Sequence, residues 1–211
     1  MIKPPDTRQR ILDAAEMLFA RDGFRGTSLR TITGRAGVNL AAVNYHFGSK
    51  KALLEEVIKR RILPLNKIRK KRLEEVRDLA RSKGLSPDIK DVLTAFIEPT
   101  MLFMESEPGA KSFITFIGRS LADPDDTVRK AFHAVINPMA KILSRTVCEA
   151  LPGLSKELIF WRINFTMGAF FHAMHISGNP GPGLMGLKTD IDAQSLVNLI
   201  IPYVTAGMKA K

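Results

Sequence analysis

The segment RAGVNLAAVNYHFGSK, residues 35–50, carries side chains that suit hydrogen bonding to a large polar surface. An asparagine amide is both donor and acceptor, and it can bond two edge atoms of an adenine in the DNA major groove. The hydroxyl of Tyr45, the imidazole of His46 and the ammonium of Lys50 suit phosphate oxygens. These residue types in this order favour recognition of a nucleic acid.

Short helices are expected to hold these side chains in place. Thr27 or Ser28 can cap a helix that ends at Ala36-Gly37, and Asn39 can cap the next helix. Gly37 can adopt the left-handed backbone conformation that a turn between the two helices needs. Two short helices joined by a tight turn, following a longer helix, describe a helix-turn-helix.

The longer helix is expected to begin near Asp6 or Thr7 and to end at Gly23. Gln9 follows Asp6 by three residues, which is the spacing of a capping box. The apolar face has the i, i+3, i+4, i+7, i+8 spacing of an amphipathic helix. Its members are Ile11, Ala14, Ala15, Leu18 and Phe19.

A helical wheel for residues 39–47 separates an inner face from an outer face. Val43 and Phe47 point inward with Val38, toward Leu29, Ile32 and the first helix. Ala41, Asn44 and Tyr45 point outward, where Ala41 can meet a thymine methyl and Asn44 an adenine. The alternatives are that Tyr45 and His46 cover the small core, that Asn39 only caps its helix, and that Lys50 and Lys51 are ordinary surface charges.

Two further features of the same region suit DNA. Arg30, on the second helix, has the reach to bond a guanine. The first-turn amides at residues 28–30 and 50–52 add partial positive charge where phosphates can bind.

The basic charge is concentrated in the first part of the chain. The formal net charge is +11; residues 1–83 hold 20 Lys and Arg against 9 Asp and Glu, and residues 84–211 hold 12 against 12. A basic section followed by a neutral one is typical of a polyanion-binding module joined to another module. The alternative is a solvated basic face that serves solubility.

Helix signals continue to the end of the chain, and strand patterns with hairpin turns are hard to find, so an all-α fold is expected. A fourth helix, capped by Ser49, runs to about Arg81 with a kink at Pro64. Further helices are expected at about 88–106, 110–122, 124–150, 155–177 and 191–209, with a glycine- and proline-rich loop at 178–190. The predicted division is a DNA-binding domain at 1–50 and a larger helical domain at 51–211.

Other classes of protein are disfavoured. The single cysteine, Cys148, allows no internal disulfide, and with the absence of a signal-peptide pattern it favours the cytoplasm. Residues 158–178 are apolar, but Arg162, Asn164, His172 and His175 favour a buried or interface helix over a membrane span. No phosphate loop, metal-ligand spacing or nucleophile motif is present, so neither an enzyme nor a cofactor is expected.

The motif order of residues 11–54 resembles the amino-terminal DNA-binding domain of the TetR family of bacterial transcriptional regulators. It consists of a helix followed by "GF..TS", "I...AGV" and "YHF.SK..L". The resemblance implies phosphate contacts from Thr27, Ser28, Tyr45, His46 and Lys50, and base-facing positions at Arg30, Leu40, Ala41 and Asn44. With Asn39 added, these residues form the predicted DNA-contacting set.

VNLAAVNYHFGSKKAL and residues 157–174, ELIFWRINFTMGAFFHAM, are similar to a fatty-acid-responsive branch of that family. This implies a sensor domain with an apolar pocket, dimerisation through the last two major helices, and a dimeric repressor released by a fatty acid or acyl-CoA. Gly168 and Ala169 would allow close approach of a second helix. Competing functions are a sequence-independent nucleoid-type DNA-binding protein, a membrane-surface binder and an enzyme.

Flexible Met and flat Phe side chains in residues 96–174 can line a pocket for an alkyl chain, although they also form ordinary helical cores. The predicted ligand-binding residues are Met101, Met104, Phe113, Phe116, Phe132, Met139, Phe165 and His172. Five basic side chains are candidates for a ligand headgroup or for ion pairs within the protein: Arg119, His133, Arg162, His172 and His175.

Overall fold

The computed structural model describes residues 6–121, 125–178 and 191–210, and within these ranges it contains helices and no strand. The all-α prediction is confirmed. The helices are α1 (Thr7–Gly26), α2 (Leu29–Ala36), α3 (Leu40–Phe47), α4 (Lys50–Ser82), α5 (Ile89–Ser106), α6 (Ala110–Leu121), α7 (Thr127–Ala150), α8 (Lys156–Gly178) and α9 (Ala193–Lys209).

Both ends of α1 differ from the predictions, which were a capping box at the amino end and a stop at Gly23. Asp6 is the N-cap residue, but its side chain accepts no capping hydrogen bond. The Gln9 amide instead donates to Asp13 Oδ1 at 3.1 Å, one turn further along the helix. Gly23, the predicted end, has a φ of 75° and interrupts the helical backbone, and a short helical segment continues to Gly26.

The predicted caps of the two short helices are confirmed. Ser28 Oγ accepts from the Thr31 N–H at 3.0 Å, and Asn39 Oδ1 accepts from the Ala42 N–H at 2.9 Å. Gly37 ends α2 with a φ of 63°. The three helices bury a shared apolar face that includes Phe19, Ile32 and Val43, each fully inaccessible to solvent. Local capping and this small core together set the geometry of α2 and α3.

The described residues form two compact units that alternate along the chain. The first comprises Met1–Leu63 and Gly109–Val135, and the second comprises Pro64–Pro108 and Ile136–Lys211. Helix α4 passes from one to the other between Leu63 and Pro64, and Pro64 lies inside the helix. The predicted functional division at residues 50 and 51 stays a prediction.

In the first unit, α6 packs on α1. The rings of Phe19 and Phe116 stack with centroids 6.2 Å apart. The Arg119 guanidinium donates to the Ala20 carbonyl at 2.8 Å, near the end of the regular part of α1. A segment that lies about 100 residues later in the chain therefore completes the core of the helix-turn-helix.

In the second unit, α9 packs on α5 and on α8. Buried side chains of α9, such as Val197 and Ile201, contribute to the core of this unit. The predicted loop at 178–190 lies, apart from Gly178, outside the described residues. Among the helices of the described ranges, α8 included, none has the length and apolar character needed to cross a membrane.

Candidate nucleic-acid interface

Helix α3 turns four of the predicted contact residues toward solvent. Tyr45 is 86% exposed and Leu40 is 42% exposed, and Ala41 and Asn44 are exposed beside them. Val43 and Phe47 are buried on the opposite face. The high exposure of Tyr45 excludes the alternative that this ring covers the core, whereas His46 is half-buried and its ring lies edge-on to Tyr45.

At the amino end of α2, the side chains of Thr27 and Ser28 form hydrogen bonds within the protein, whereas that of Arg30 extends into solvent. Thr27 is buried, and its hydroxyl donates to the carbonyls of Gly23 at 2.8 Å and Leu18 at 3.2 Å. Ser28 is exposed but its Oγ caps the helix. Because its hydroxyl is engaged within the protein, Thr27 can make the predicted phosphate contact only through its backbone N–H. Arg30 is exposed, and its guanidinium has no hydrogen bond or ion pair with the described residues.

The turn between α2 and α3 is held by Arg10 of α1, a residue that sequence reasoning missed. The Arg10 Nη2 donates to the carbonyls of Ala36 and Gly37, the latter at 2.9 Å. A cation at the carboxyl end of a helix also interacts favourably with the partial negative charge there. Arg10 therefore fixes the angle at which α3 leaves the turn.

Lys50 opens α4 and is anchored by an aromatic ring. Its Nζ lies 4.2 Å from the centroid of Phe24, a cation–π contact. Partial burial lowers the pKa of Lys50, and the negative charge of Asp125 acts in the opposite direction. The ammonium is thus half-buried and its position is restricted, unlike an ordinary surface lysine.

Asp125 lies next to this basic group. It accepts from the Thr127 hydroxyl at 2.6 Å and from the Thr127 N–H at 3.0 Å, and it pairs with Arg25 at 2.8 Å. These hydrogen bonds, those from Thr127 first, lower the pKa of Asp125 to about 2. The carboxylate is therefore ionised at neutral pH and partly neutralises the cations around Phe24.

Two further ion-pair groups join α1 to α4 in the same unit. Arg8 pairs with Glu56 at 2.6 Å, and its guanidinium lies 5.4 Å from the Phe47 ring centroid. Glu16 is 7% exposed and binds both Arg60 and Arg61, the second at 2.5 Å. These contacts hold the start of α4 against the helices that carry the exposed polar face.

The residues predicted to bind a ligand are distributed over both units. Phe113, Phe116 and Phe132 are buried in the first unit. Met101 and Met139 are buried in the second unit, where Met104 is half-buried. Phe165 is 68% exposed and His172 is also exposed, so neither lines an interior cavity of a single chain. The role of all eight in ligand binding stays a prediction.

Of the predicted headgroup cations, Arg162 has a structural role. It donates to the carbonyls of Met208 and Ala210, both at 2.7 Å, and so caps the carboxyl end of α9. Arg119 likewise donates to a backbone carbonyl, that of Ala20.

Helices α8 and α9 form a shallow groove, and large apolar side chains lie exposed beside it. The groove has a volume of about 440 Å³ and includes Phe165, Ala169, Tyr203 and Gly207 in its lining. Phe160 and Trp161 are each more than half exposed near Phe165, and Trp161 stacks on its ring with centroids 6.1 Å apart. Exposed large apolar side chains in a cluster are typical of a protein–protein interface.

Two family models match the chain. Residues 11–57 match "Bacterial regulatory proteins, tetR family", and residues 94–207 match "Tetracyclin repressor-like, C-terminal domain". The second match alone covers more than half of the chain.

Similar sequences and structures agree with these models. The chain is 42% identical over 52 residues to a probable HTH-type transcriptional regulator, YttP, of Bacillus subtilis, a match that spans 25% of each chain. It is 23% identical over 190 residues to the regulator BetI of Paraburkholderia xenovorans, covering 90% of this chain and 92% of that relative. The transcriptional regulator FadR of Bacillus subtilis, whose crystal structure is a complex with stearoyl-CoA, has a TM-score of 0.71 and 15% identity, covering 94% of this chain and 98% of that chain.

Proposed function

The chain belongs to the TetR family of bacterial transcriptional regulators, and from this premise we propose that it is a dimeric repressor released from its operator by an apolar effector. The observation that supports DNA binding is the row of solvent-exposed side chains on α3. Ala41 and Asn44 lie together on the exposed face of a helix held by caps and by Arg10. This arrangement fits a recognition helix in the major groove.

Base contacts and phosphate contacts are assigned to different residues. Asn44, Ala41 and Leu40 read base edges, and Arg30 reaches a guanine from α2. Tyr45, His46 and Lys50 bind phosphates, together with Ser28 and the backbone N–H of Thr27. Asn39 serves the interface as the cap that orients the first turn of α3. Such a regulator works in the cytoplasm, where the bacterial chromosome lies.

The dimer is proposed to form through α8 and α9. Phe165 and Tyr203 expose 68% and 71% of their surface, and Gly168 on α8 has no atom within 4 Å of an added Cβ. A two-fold pair of these faces would bury the apolar groove of each chain. Two recognition helices could then enter successive major grooves about 34–36 Å apart.

The effector is proposed to be a fatty acid or its acyl-CoA. This part is supported by the apolar Met and Phe content of residues 96–174 and by the likeness in fold to the Bacillus subtilis regulator with stearoyl-CoA. A ligand releases DNA only if it binds the released conformation more tightly than the bound one. We assign transmission to α4, because it belongs to both units.

The DNA part is tested by selecting binding sites from random double-stranded DNA and footprinting the protein on the selected fragment. A regulator protects one short, near-palindromic site. Uniform protection of the fragment would instead favour the nucleoid-type alternative.

The effector part is tested by titrating the labelled operator complex with acyl-CoAs and fatty acids of graded chain length. A coupling of about 1–3 kcal/mol lowers operator affinity roughly 5- to 150-fold, and linkage requires the operator to weaken ligand binding by the same factor. If no chain length shifts the isotherm of a folded dimer, the acyl effector is rejected and the DNA assignment is unaffected.

A further inference from the structure

Arg69, on the part of α4 that belongs to the second unit, is a buried cation. Only 4% of the surface of Arg69 is exposed to solvent, and its guanidinium lies 4.1 Å from the centroid of the Phe96 ring. The Nε donates to the Phe96 carbonyl at 3.0 Å, Nη1 to Asn66 Oδ1 at 3.3 Å, and Nη2 to the Thr100 hydroxyl. The side chain is therefore fixed in position between α4 and α5.

None of these acceptors carries a negative charge. Among the described residues, no carboxylate forms an ion pair with Arg69, and the nearby Glu98 of α5 pairs with Arg72. Burial lowers the pKa of the Arg69 guanidinium to about 9, so the group still carries its proton at neutral pH. Buried charges in proteins are normally paired, because an isolated charge loses its hydration without compensation.

The hydrogen bonds also leave donors unused. A guanidinium has five N–H groups, one on Nε and two on each Nη. Three of them are engaged within the described residues, so one N–H on each terminal nitrogen has no acceptor there. Two N–H groups of one guanidinium match the two oxygens of a carboxylate or phosphate.

Helix packing explains only part of this arrangement. Pro99 has no N–H, so the Ala95 carbonyl lacks its helical donor in the turn that also contains Phe96. The bond from Arg69 Nε to the Phe96 carbonyl stabilises that turn. The cation–π contact with the Phe96 ring also uses the charge, but neither contact uses the second N–H of Nη1 and of Nη2.

We propose that the Arg69 guanidinium binds the anionic group of the effector, a carboxylate or a phosphate, within the second unit. This inference rests on the proposed acyl-responsive function and names the residue and the charge that would hold the ligand head. Met104 lies one turn after Thr100 on the same face of α5 and is half-buried, so an apolar tail beside it would start near the charged head.

The test compares three probes that share a sixteen-carbon chain: palmitate, palmitoyl-CoA and hexadecanol. Binding to the full-length protein is measured by calorimetry, and operator release by fluorescence anisotropy. At least one of the two anionic probes should bind about 10- to 100-fold more tightly than the neutral alcohol. If palmitate has the advantage the partner is a carboxylate, and if only palmitoyl-CoA has it the partner is a phosphate.

Arg69→Met keeps an unbranched apolar stem and removes the charged guanidinium, so it should abolish the advantage of the anionic probe and leave hexadecanol binding unchanged. Arg69→Lys keeps a charge but loses the paired N–H groups, and it should retain only part of the advantage. Arg72 lies three residues after Arg69, about one turn further along α4. Arg72→Met is therefore the matched control, and it should keep the full preference for the anionic probe. Circular dichroism and operator affinity report whether each variant is folded, and Arg69→Lys carries the test if Arg69→Met is not.

Equal binding of all three probes to the wild-type protein would overturn the inference and leave the acyl effector in place. An anionic advantage that survives in Arg69→Met would overturn it as well. If none of the probes binds, the inference and the effector class fail together, while the operator footprint still decides the DNA part.

Discussion

Asn44 and Lys50 differ in how firmly the protein holds them. The Asn44 side chain is exposed and has no hydrogen bond to the described residues, so it keeps the freedom to align with a base. The Lys50 ammonium rests on the Phe24 ring and lies near a second charge, Asp125. In the proposed complex, the unrestrained Asn44 amide can align with a base edge, and the restrained Lys50 ammonium can meet a phosphate, which every DNA sequence presents.

Replacing each of these residues by alanine should separate specificity from general affinity. Asn44→Ala should cost about 1–3 kcal/mol on the selected operator and relax the preference at one base pair per half-site. Lys50→Ala should weaken binding to all sequences alike and reduce the salt slope by about one. The measurement is binding to the operator and to its single-base variants at several salt concentrations. Unchanged binding by both variants would remove α3 as the recognition helix.

For individual side chains, the sequence predicted solvent exposure better than it predicted burial. The outward positions of Ala41, Asn44 and Tyr45 follow from helical periodicity, which is a local property. The burial of Thr27 depends on the carbonyls that Gly23 and Leu18 present at the end of α1, and these come from another element. The unpaired charge of Arg69 was also hidden, because neighbours in sequence do not reveal which carboxylates lie within reach.

The turn between α2 and α3 depends on the absence of a side chain at residue 37. Gly37→Ala would place a Cβ 2.7 Å from Arg10 Nη2 and would keep the positive φ of 63° that L-residues disfavour. The expected loss is about 1–3 kcal/mol of unfolding free energy, together with weaker operator binding, since Arg10 must move. Urea denaturation followed by circular dichroism gives the first quantity.

Gly34→Ala is the matched control for this element. Gly34 lies inside α2, where an added Cβ meets no atom within 4 Å. Alanine is favoured over glycine by up to about 1 kcal/mol in a helix, so this variant should be neutral or more stable. Equal destabilisation by the two substitutions would show that the backbone conformation at Gly37 is not what matters.

Helix existence was predictable from periodicity and caps, whereas the partners of the helices were not. The caps at Ser28 and Asn39 were anticipated because a cap acts over three residues. The packing of α6 on α1, through Phe116 and Phe19, joins residues far apart in sequence that no local pattern connects. The same distance concealed the role of Arg10.

For the whole molecule, the decisive expectation is a two-fold dimer through α8 and α9. Phe165→Glu would place a carboxylate in the apolar patch, and a symmetric interface would contain two of them. Sedimentation should show monomers at micromolar concentration, and operator affinity should fall by about tenfold or more because one half-site is lost.

Leu79→Glu adds the same charge at a 56% exposed site on α4 and serves as the control. It should leave the oligomeric state unchanged. A Phe165→Glu protein that sediments as the wild type does would place the dimer interface elsewhere.

The alternation of the two units along the chain has a consequence for synthesis. The first unit needs Gly109–Val135 as well as the residues up to Leu63. At about 5–20 residues per second, the ribosome adds the intervening segment in roughly 2–9 seconds. During that interval Phe19 lacks Phe116, its stacking partner, so the apolar face of α1 is incompletely covered. The nascent helix-turn-helix therefore reaches its full core only after Pro64–Pro108, which belongs to the second unit, and the Phe116 region have been translated.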